Sequence, residues 1–413
     1  MSIPPRLHNA PWLQRPETKA VFAALEAGGF AARAVGGAVR NALLDLPVTD
    51  VDIATTARPD EVMAAAQAAR LKAIPTGIQH GTVTIVSGDQ TYEVTTLRKD
   101  VETHGRHATV AFTDDWAADA RRRDFTLNAL YCSAGGEMFD PLSGYADLAA
   151  RRVRFIGDAA ERIREDYLRI LRFFRLTAAY GAGAPDAQGL LACVREREGL
   201  AILSGERVSQ EVLRLLSAPR GAELARWMFD YGLLPLVLGR APRPALLARL
   251  ASIESTVGLE PDAVLRLGVL VVEVPEDAQA LRDRLRLSND DTDRLARTAE
   301  RVPALDLTVF ESMGKAYIYR HGASAYRDRV LVAWARSGDA TDSDAWRLRL
   351  DLPQRWQAPQ FPVGGAEVMA LGVPAGPRVG ELLRALEAWW IAGDFVADET
   401  ALRKKLNQLV QGQ

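Results

Sequence analysis

The sequence predicts an α+β protein: an N-terminal mixed sheet with flanking helices, followed by an all-helical remainder. Three observations predict it. Polar and apolar residues alternate over 82–98, the signature of a half-buried hairpin with Gly88 and Asp89 in its turn. A glycine pair, Gly36 and Gly37, joins a short β-like run at 31–35 to a helical pattern at 38–46. Beyond Gly157 the apolar residues recur almost only at helical spacing.

The front half justifies itself element by element. Residues 16–27 have a helical period, with Pro16 at the start and Gly28 and Gly29 at the end. The Gly36 and Gly37 turn is either a plain tight turn or a place where backbone amides approach an anion, with Arg40 in the first helical turn beside it. Residues 50–55 read as a strand. Asp50 and Asp52, two apart, would then point to one face and converge on a cation, at the cost of mutual repulsion if none is present. Residues 57–71 read as a surface helix with Pro59 in its first turn. In the hairpin, Glu93 lies on the face opposite Tyr92 and Val94, so it is either a third carboxylate for Asp50 and Asp52 or a cross-strand partner for an arginine. The polar stretch 99–115, with His104 and His107, is expected to be a mobile loop. Arg121, Arg122 and Arg123 follow one another and must point in different directions, with Asp124 and Asn128 nearby; arginine forks suit polyphosphate.

Residues 158–181 are expected as one helix. Ile163, Tyr167, Ile170, Leu171, Phe174 and Ala178 mark its buried face, and Glu165, Asp166, Arg169, Arg172 and Arg175 run along the other. Asp166 and Arg169 are three apart, so they offer either an ion pair of about 0.2–0.5 kcal/mol or an acceptor and forked donor able to read a base edge. Further on, 204–218 reads as a helix with Ser204 as cap and an Arg207/Glu211 pair at i, i+4. Residues 243–274 are apolar helical core, and a Gly/Pro-rich connection after 361 leads into an amphipathic helix with Trp389 and Trp390 assigned to packing.

Composition narrows the partners. A chain of 413 residues with 48% hydrophobic and 25% charged residues can bury cores for several domains. Its formal charge of -2 means that a nucleic-acid partner would be held by local patches. Because lysine is scarce among the 51 basic residues, arginine carries meaning only by position. Cys132 and Cys193 have no metal-type spacing and suit a reducing compartment. No apolar run reaches the ~18 residues of a membrane span, and the first residues lack signal-peptide features, so a cytoplasmic protein with no membrane partner is expected.

Six segments in register, GGAVR at 36–40, DVD at 50–52, YEVTTLR at 92–98, RRDFTLNA at 122–129, EDYLRILRFFR at 165–175 and ERVSQEVLRLL at 206–216, resemble the class II tRNA nucleotidyltransferases and their bacterial poly(A) polymerase relatives. The resemblance covers roughly residues 30–216 and is looser in the tail. It implies a nucleotidyltransferase-type head at 1–150, a helical nucleotide-recognition neck at 151–235, and a helical body and tail at 236–413 that bind tRNA. It further implies template-independent addition of C, C and A to the tRNA 3′ end from CTP and ATP. Poly(A) synthesis or partial (A-only or CC-only) addition is the alternative, and a non-catalytic RNA-binding module stands outside that class. Residue by residue, Asp50 and Asp52 would hold Mg²⁺, with Glu93 as a third catalytic acid. Gly36, Gly37, Arg40 and Arg123 would face phosphates, and Asp124 and Asn128 the ribose. Asp166 and Arg169 would read the base, while Arg172 and Arg175 would support Asp166 or reach phosphate. Asn41 departs from the family, many of whose members carry an acid there.

Overall fold

A computed structural model describes residues 7–104, 107–300 and 307–412. The chain divides into two compact units, one formed by Met1–Pro242 with Asp283–Arg286, the other by Arg243–Arg282 with Leu287–Gln413.

Among its described residues the first unit has nine strands: β1 (Ala32–Val35), β2 (Val51–Thr55), β3 (Lys72–Gly77), β4 (Thr82–Ser87), β5 (Gln90–Thr96), β6 (Arg98–His104), β7 (His107–Phe112), β8 (Tyr131–Cys132) and β9 (Met138–Phe139). Seven form one sheet in the order β3-β4-β5-β2-β1-β8-β9. It is mixed, because β2 and β5 run parallel while the other pairs are antiparallel. β6 and β7 form a separate antiparallel pair. The stretch 99–115, expected as a loop, is therefore mostly hairpin; weak apolar alternation hid it, and the ladder hydrogen bonds that define it are not a sequence signal.

Register decides what each sheet face carries. Val51, Ile53 and Thr55 point one way, with Tyr92 and Val94 beside them on β5. That face is closed by the helices Pro16–Ala27 and Pro59–Ala68, whose Val21, Phe22, Leu25 and Val62 are fully buried. Burying such side chains contributes about 1.5–3 kcal/mol each. Asp52 and Ala54 point the other way, in line with Val35 and Arg33 on β1 and Glu93 on β5. Here a smaller core of Val35, Ala54, Leu97, Ala120 and Tyr131 supports one end of the face, beside the helix Trp116–Arg121.

The expected helix over 158–181 is two helices, Ala159–Glu165 and Leu168–Tyr180. Asp166 breaks it: its backbone is extended (φ -156, ψ 106), and its carboxylate accepts from the Leu168 amide at 3.2 Å, as a cap would. The periodicity ran through the break because Ile163, Ile170, Leu171, Phe174 and Ala178 are all buried on either side of it, while Tyr167 is half-buried and fills the space over Gly199. The helices Gly205–Leu216 and Gly221–Asp230 pack against Leu168–Tyr180.

The second unit is helical among its described residues. Its core gathers Leu250, Leu265, Val269, Tyr326, Val330 and Trp334, and a separate cluster joins Val368, Leu382, Leu386, Trp390 and Leu402. Trp390 is buried, as expected, whereas Trp389 is exposed beneath Lys405. Glu254 and Arg266 form a buried ion pair within this unit. The run Leu307–Ser337 is two helices meeting at Gly322, whose φ of 84 only glycine adopts freely.

Candidate active site

The sheet face described above places three acids together. Asp52 and Glu93 are directly opposed in the parallel β2/β5 ladder, and Asp50 lies one residue before β2, two before Asp52. All three are exposed and, among the described residues, none has an ion-pair partner; Asp50 accepts only from the Thr49 hydroxyl at 3.0 Å. The Asp52 carboxyl is pushed above the usual range. Crowding by protein is the first cause, even though the side chain reaches solvent, and Glu93 is the second; Arg123 pulls against them and Asp50 adds to them. Like charges held together in this way gain from a cation. Among the described residues no three His, Cys, Asp or Glu side chains close a cage around an ion. Two aspartates fit the sparse protein coordination of a hard divalent cation that takes its other oxygens from phosphates and water.

Beside the acids lies the Gly36 and Gly37 turn. Gly36 has φ 73, a left-handed backbone suited to glycine, and caps the helix Gly37–Leu43. A Cβ on Gly36 would lie 3.9 Å from Nη1 of Arg123. The other two guanidinium nitrogens of Arg123 are held from behind: Nε and Nη2 donate to Asp119 at 3.3 and 3.1 Å, and Nε also meets the Tyr131 hydroxyl at 3.2 Å. Nη1 has no acceptor among the described residues, so Arg123 presents one free edge toward the glycine turn. Asp119 is fully buried. Burial alone would push it up, but Arg123, Arg122 and the Tyr131 hydroxyl outweigh that and leave it below the ordinary range. Sequence reasoning missed Asp119; its signal was an acid four residues before Arg123 on a helix, which is ion-pair spacing.

The remaining expected residues are engaged with one another. Arg40 donates to Asn128 (2.6 Å), Asn41 (2.9 Å) and Tyr180 (2.8 Å), so that each of its three nitrogens is engaged and Nη1 keeps one further N–H. Asp124 is buried, accepting from the Phe125 amide, from Asn128 at 3.1 Å and from Arg172 at 2.5 Å. Burial raises its carboxyl, but Arg172 and Asn128 more than reverse this. Asn128 is spent between Arg40 and Asp124. In this arrangement Arg40, Asp124 and Asn128 are bonded to one another in a chain.

Four further ion pairs tie the helices together. Arg169 pairs with Glu165 and donates to the Arg162 carbonyl at 2.7 Å. Glu165 also takes Arg162, whose other donors reach the carbonyls of Arg122 and Arg123. Asp166 accepts from Arg207 at 2.7 Å, and Arg175 pairs with Glu211 at 2.5 Å. The expected Arg207/Glu211 pair is thus replaced by two longer-range pairs, because each side chain finds an opposite charge on a neighbouring helix. Arg169 and Asp166 remain one helical turn apart, the Arg169 amide bonding the Asp166 carbonyl at 3.0 Å, and both side chains are half-exposed.

A mixed sheet with uncompensated paired aspartates, next to a glycine turn and an arginine-rich helical neck, places the protein in the class of nucleotidyltransferases. The model of the poly A polymerase head domain matches residues 32–154. Over longer spans the chain is 36% identical to the mitochondrial CCA tRNA nucleotidyltransferase 1 of Mus musculus, covering 87% of this chain and 82% of that one. It is 38% identical to the CCA-adding enzyme of Geobacillus stearothermophilus, covering 91% and 92%. The crystal structure of the Bacillus stearothermophilus CCA-adding enzyme in complex with CTP superposes with a TM-score of 0.72 at 28% identity, covering 97% of this chain and 99% of that chain. The chain belongs to the CCA tRNA nucleotidyltransferase family, whose members use divalent metal ions.

Proposed function

We propose that this protein adds C, C and A in turn to the 3′ end of tRNA from CTP and ATP, releasing pyrophosphate and using no nucleic-acid template. The observation that carries the reading is the pair of carboxylates Asp52 and Glu93 in register on one sheet face, with Asp50 just before the strand and the free edge of Arg123 and the Gly36 turn beside them. At each cycle the tRNA 3′-oxygen bonds to the α-phosphorus while the bond to the pyrophosphate oxygen breaks. Asp50 and Asp52 would hold Mg²⁺, which when bound would supply the charge that eases loss of the hydroxyl proton and neutralises the departing pyrophosphate. Glu93 keeps the local charge negative, so the pair binds a cation rather than an arginine. Arg123 Nη1 steers the triphosphate, its donor direction fixed by Asp119.

Base choice falls to the helical neck. Arg169 donates to acceptors on the pairing edge of cytosine or adenine, and Asp166 accepts from the exocyclic amine that both possess. Uracil and guanine present a carbonyl there, which meets a carboxylate and is rejected. The neighbouring pairs support this by presenting both side chains in fixed directions: Glu165 and the Arg162 carbonyl hold Arg169, while Arg207 holds Asp166. We assign the head to 1–150, the neck to 151–235, and the tRNA-binding body and tail to 236–413. Among the described residues no helix is long and apolar enough to cross a membrane, and the two buried, unpaired cysteines support a cytoplasmic setting. The deciding experiment supplies the purified protein with magnesium, labelled CTP or ATP, and tRNA trimmed of its last three nucleotides. Addition of two Cs and one A is expected; unlimited addition of A, or none, would overturn the reading.

A further inference from the structure

Tyr180 ends the helix Leu168–Tyr180, and its hydroxyl accepts from Arg40 Nη2 at 2.8 Å while the guanidinium lies 4.0 Å from the ring centre. From Arg40 the contacts run on to Asn128, from Asn128 to Asp124, and from Asp124 to Arg172, which is on the same helix as Tyr180. The circuit therefore closes. Arg172 and Tyr180 are eight residues apart, which is about 12 Å along the helix axis. One anchor would leave the helix free to pivot; two anchors at that spacing fix both its tilt and its axial position. Arg40 in turn belongs to the short helix that Gly36 caps, so the far end of the helix bearing Arg169 is fastened to the glycine turn.

We infer that Tyr180 is a positioning residue for nucleotide transfer, acting through Arg40 to set the base-reading helix at a fixed distance from the triphosphate turn. Its partner is costly to leave unmatched. Arg40 is buried, which disfavours its charge, and the nearby Arg175 disfavours it further; Tyr180 and Asp124 offset this only in part. Every guanidinium nitrogen of Arg40 is occupied, so loss of the Tyr180 ring removes both a stacking surface and an acceptor. A helix displaced by about 1 Å would still bind a nucleotide at either end but would misalign its α-phosphate, an error that costs up to ~10²-fold in rate.

The inference rests on the proposed reaction, and the test keeps the two apart. Wild type, Tyr180→Phe and Tyr180→Ala are assayed on trimmed tRNA with CTP and ATP, with kcat, KM and misincorporation of UTP and GTP measured separately and thermal melting recorded for each. Tyr180→Ala should lower kcat by ~10–100-fold with KM changed by less than about threefold, and should raise misincorporation. Tyr180→Phe keeps the ring and should recover part of kcat, remaining about 3–10-fold below wild type. If wild type extends tRNA but both variants keep kcat, or lose activity only in proportion to folded protein, the inference fails alone. If wild type adds nothing to trimmed tRNA, the reaction itself is misassigned and the inference fails with it.

Discussion

Asp52 and Glu93 face each other across the parallel ladder of β2 and β5, two carboxylates in register. The arrangement works against stability. Because crowding and Glu93 raise the Asp52 carboxyl in the folded state, the folded protein binds the proton more tightly than the unfolded chain does, and stability falls as pH rises from the unfolded value through the raised folded one. Asp52→Asn should therefore melt at or above wild type in metal-free buffer near neutral pH. Adding Mg²⁺ should stabilise wild type and leave the variant unmoved, while nucleotide incorporation by the variant drops on the order of 10³-fold. A variant that melts well below wild type without metal would contradict the electrostatic account.

Asp124 has the opposite sign. Its carboxyl is held below the ordinary range by Arg172 and Asn128 against the effect of burial. The stability it contributes is thus complete above the unfolded carboxylate value of about 4 and is lost as pH falls through the lowered folded value. Asp124→Asn should cost about 1–3 kcal/mol at pH 7, toward the lower end because Arg172 is partly open to solvent, and should flatten the acid limb of the stability curve. Chemical denaturation between pH 3 and 7 measures both effects; an unchanged acid limb would remove Asp124 from its place as an anchor.

Arg123 tests whether a shaped guanidinium is needed or only a charge. Two of its nitrogens are bound to Asp119, and the third faces the Gly36 turn. A lysine cannot span both sites, so Arg123→Lys should keep the charge but raise KM for CTP and ATP by ~10–100-fold, consistent with loss of one charged hydrogen bond of about 1.5–3 kcal/mol. Equal KM in the variant and wild type would exclude Arg123 from triphosphate binding.

What could be read in advance follows the range of the interactions. The β4/β5 hairpin, the Gly36 turn and the Asp50/Asp52 spacing are local patterns, and each lies where periodicity or turn chemistry placed it. β3 and the β8/β9 pair escaped notice because Lys72–Gly77 has no buried residue and the other two strands are two residues long. Charge partners were the least legible. Asp166 takes Arg207, 41 positions away, and Asp124 takes Arg172, 48 away, since neighbouring helices supply closer opposite charges than the same helix does. The bend at Asp166 was hidden for a related reason: the buried positions keep helical phase across it, and the interruption lies in the extended backbone of Asp166 and its side-chain bond to the Leu168 amide.

That bend sharpens the expectation for base choice. In a continuous helix Asp166 would point along the same surface as Arg169, and the two would neutralise each other. Broken at Asp166, the chain lets each take a different partner, Arg207 for the acid and Glu165 for the arginine, so the two side chains are held separately and half-exposed one turn apart. Removing Arg169 deletes the donor but leaves the acceptor, so the amine of cytosine and adenine is still recognised while their ring acceptors are not. Arg169→Ala should then lower kcat/KM for CTP and ATP by ~10–100-fold, the worth of one or two charged hydrogen bonds, and narrow their lead over UTP and GTP by a similar factor. Asp166→Ala removes the group that repels a carbonyl and should raise UTP and GTP incorporation in absolute terms, which Arg169→Ala should not. Competition between the four nucleotides on tRNA lacking its terminal residues separates the two outcomes, and matching profiles for both variants would mean that acid and arginine do not divide the work in this way.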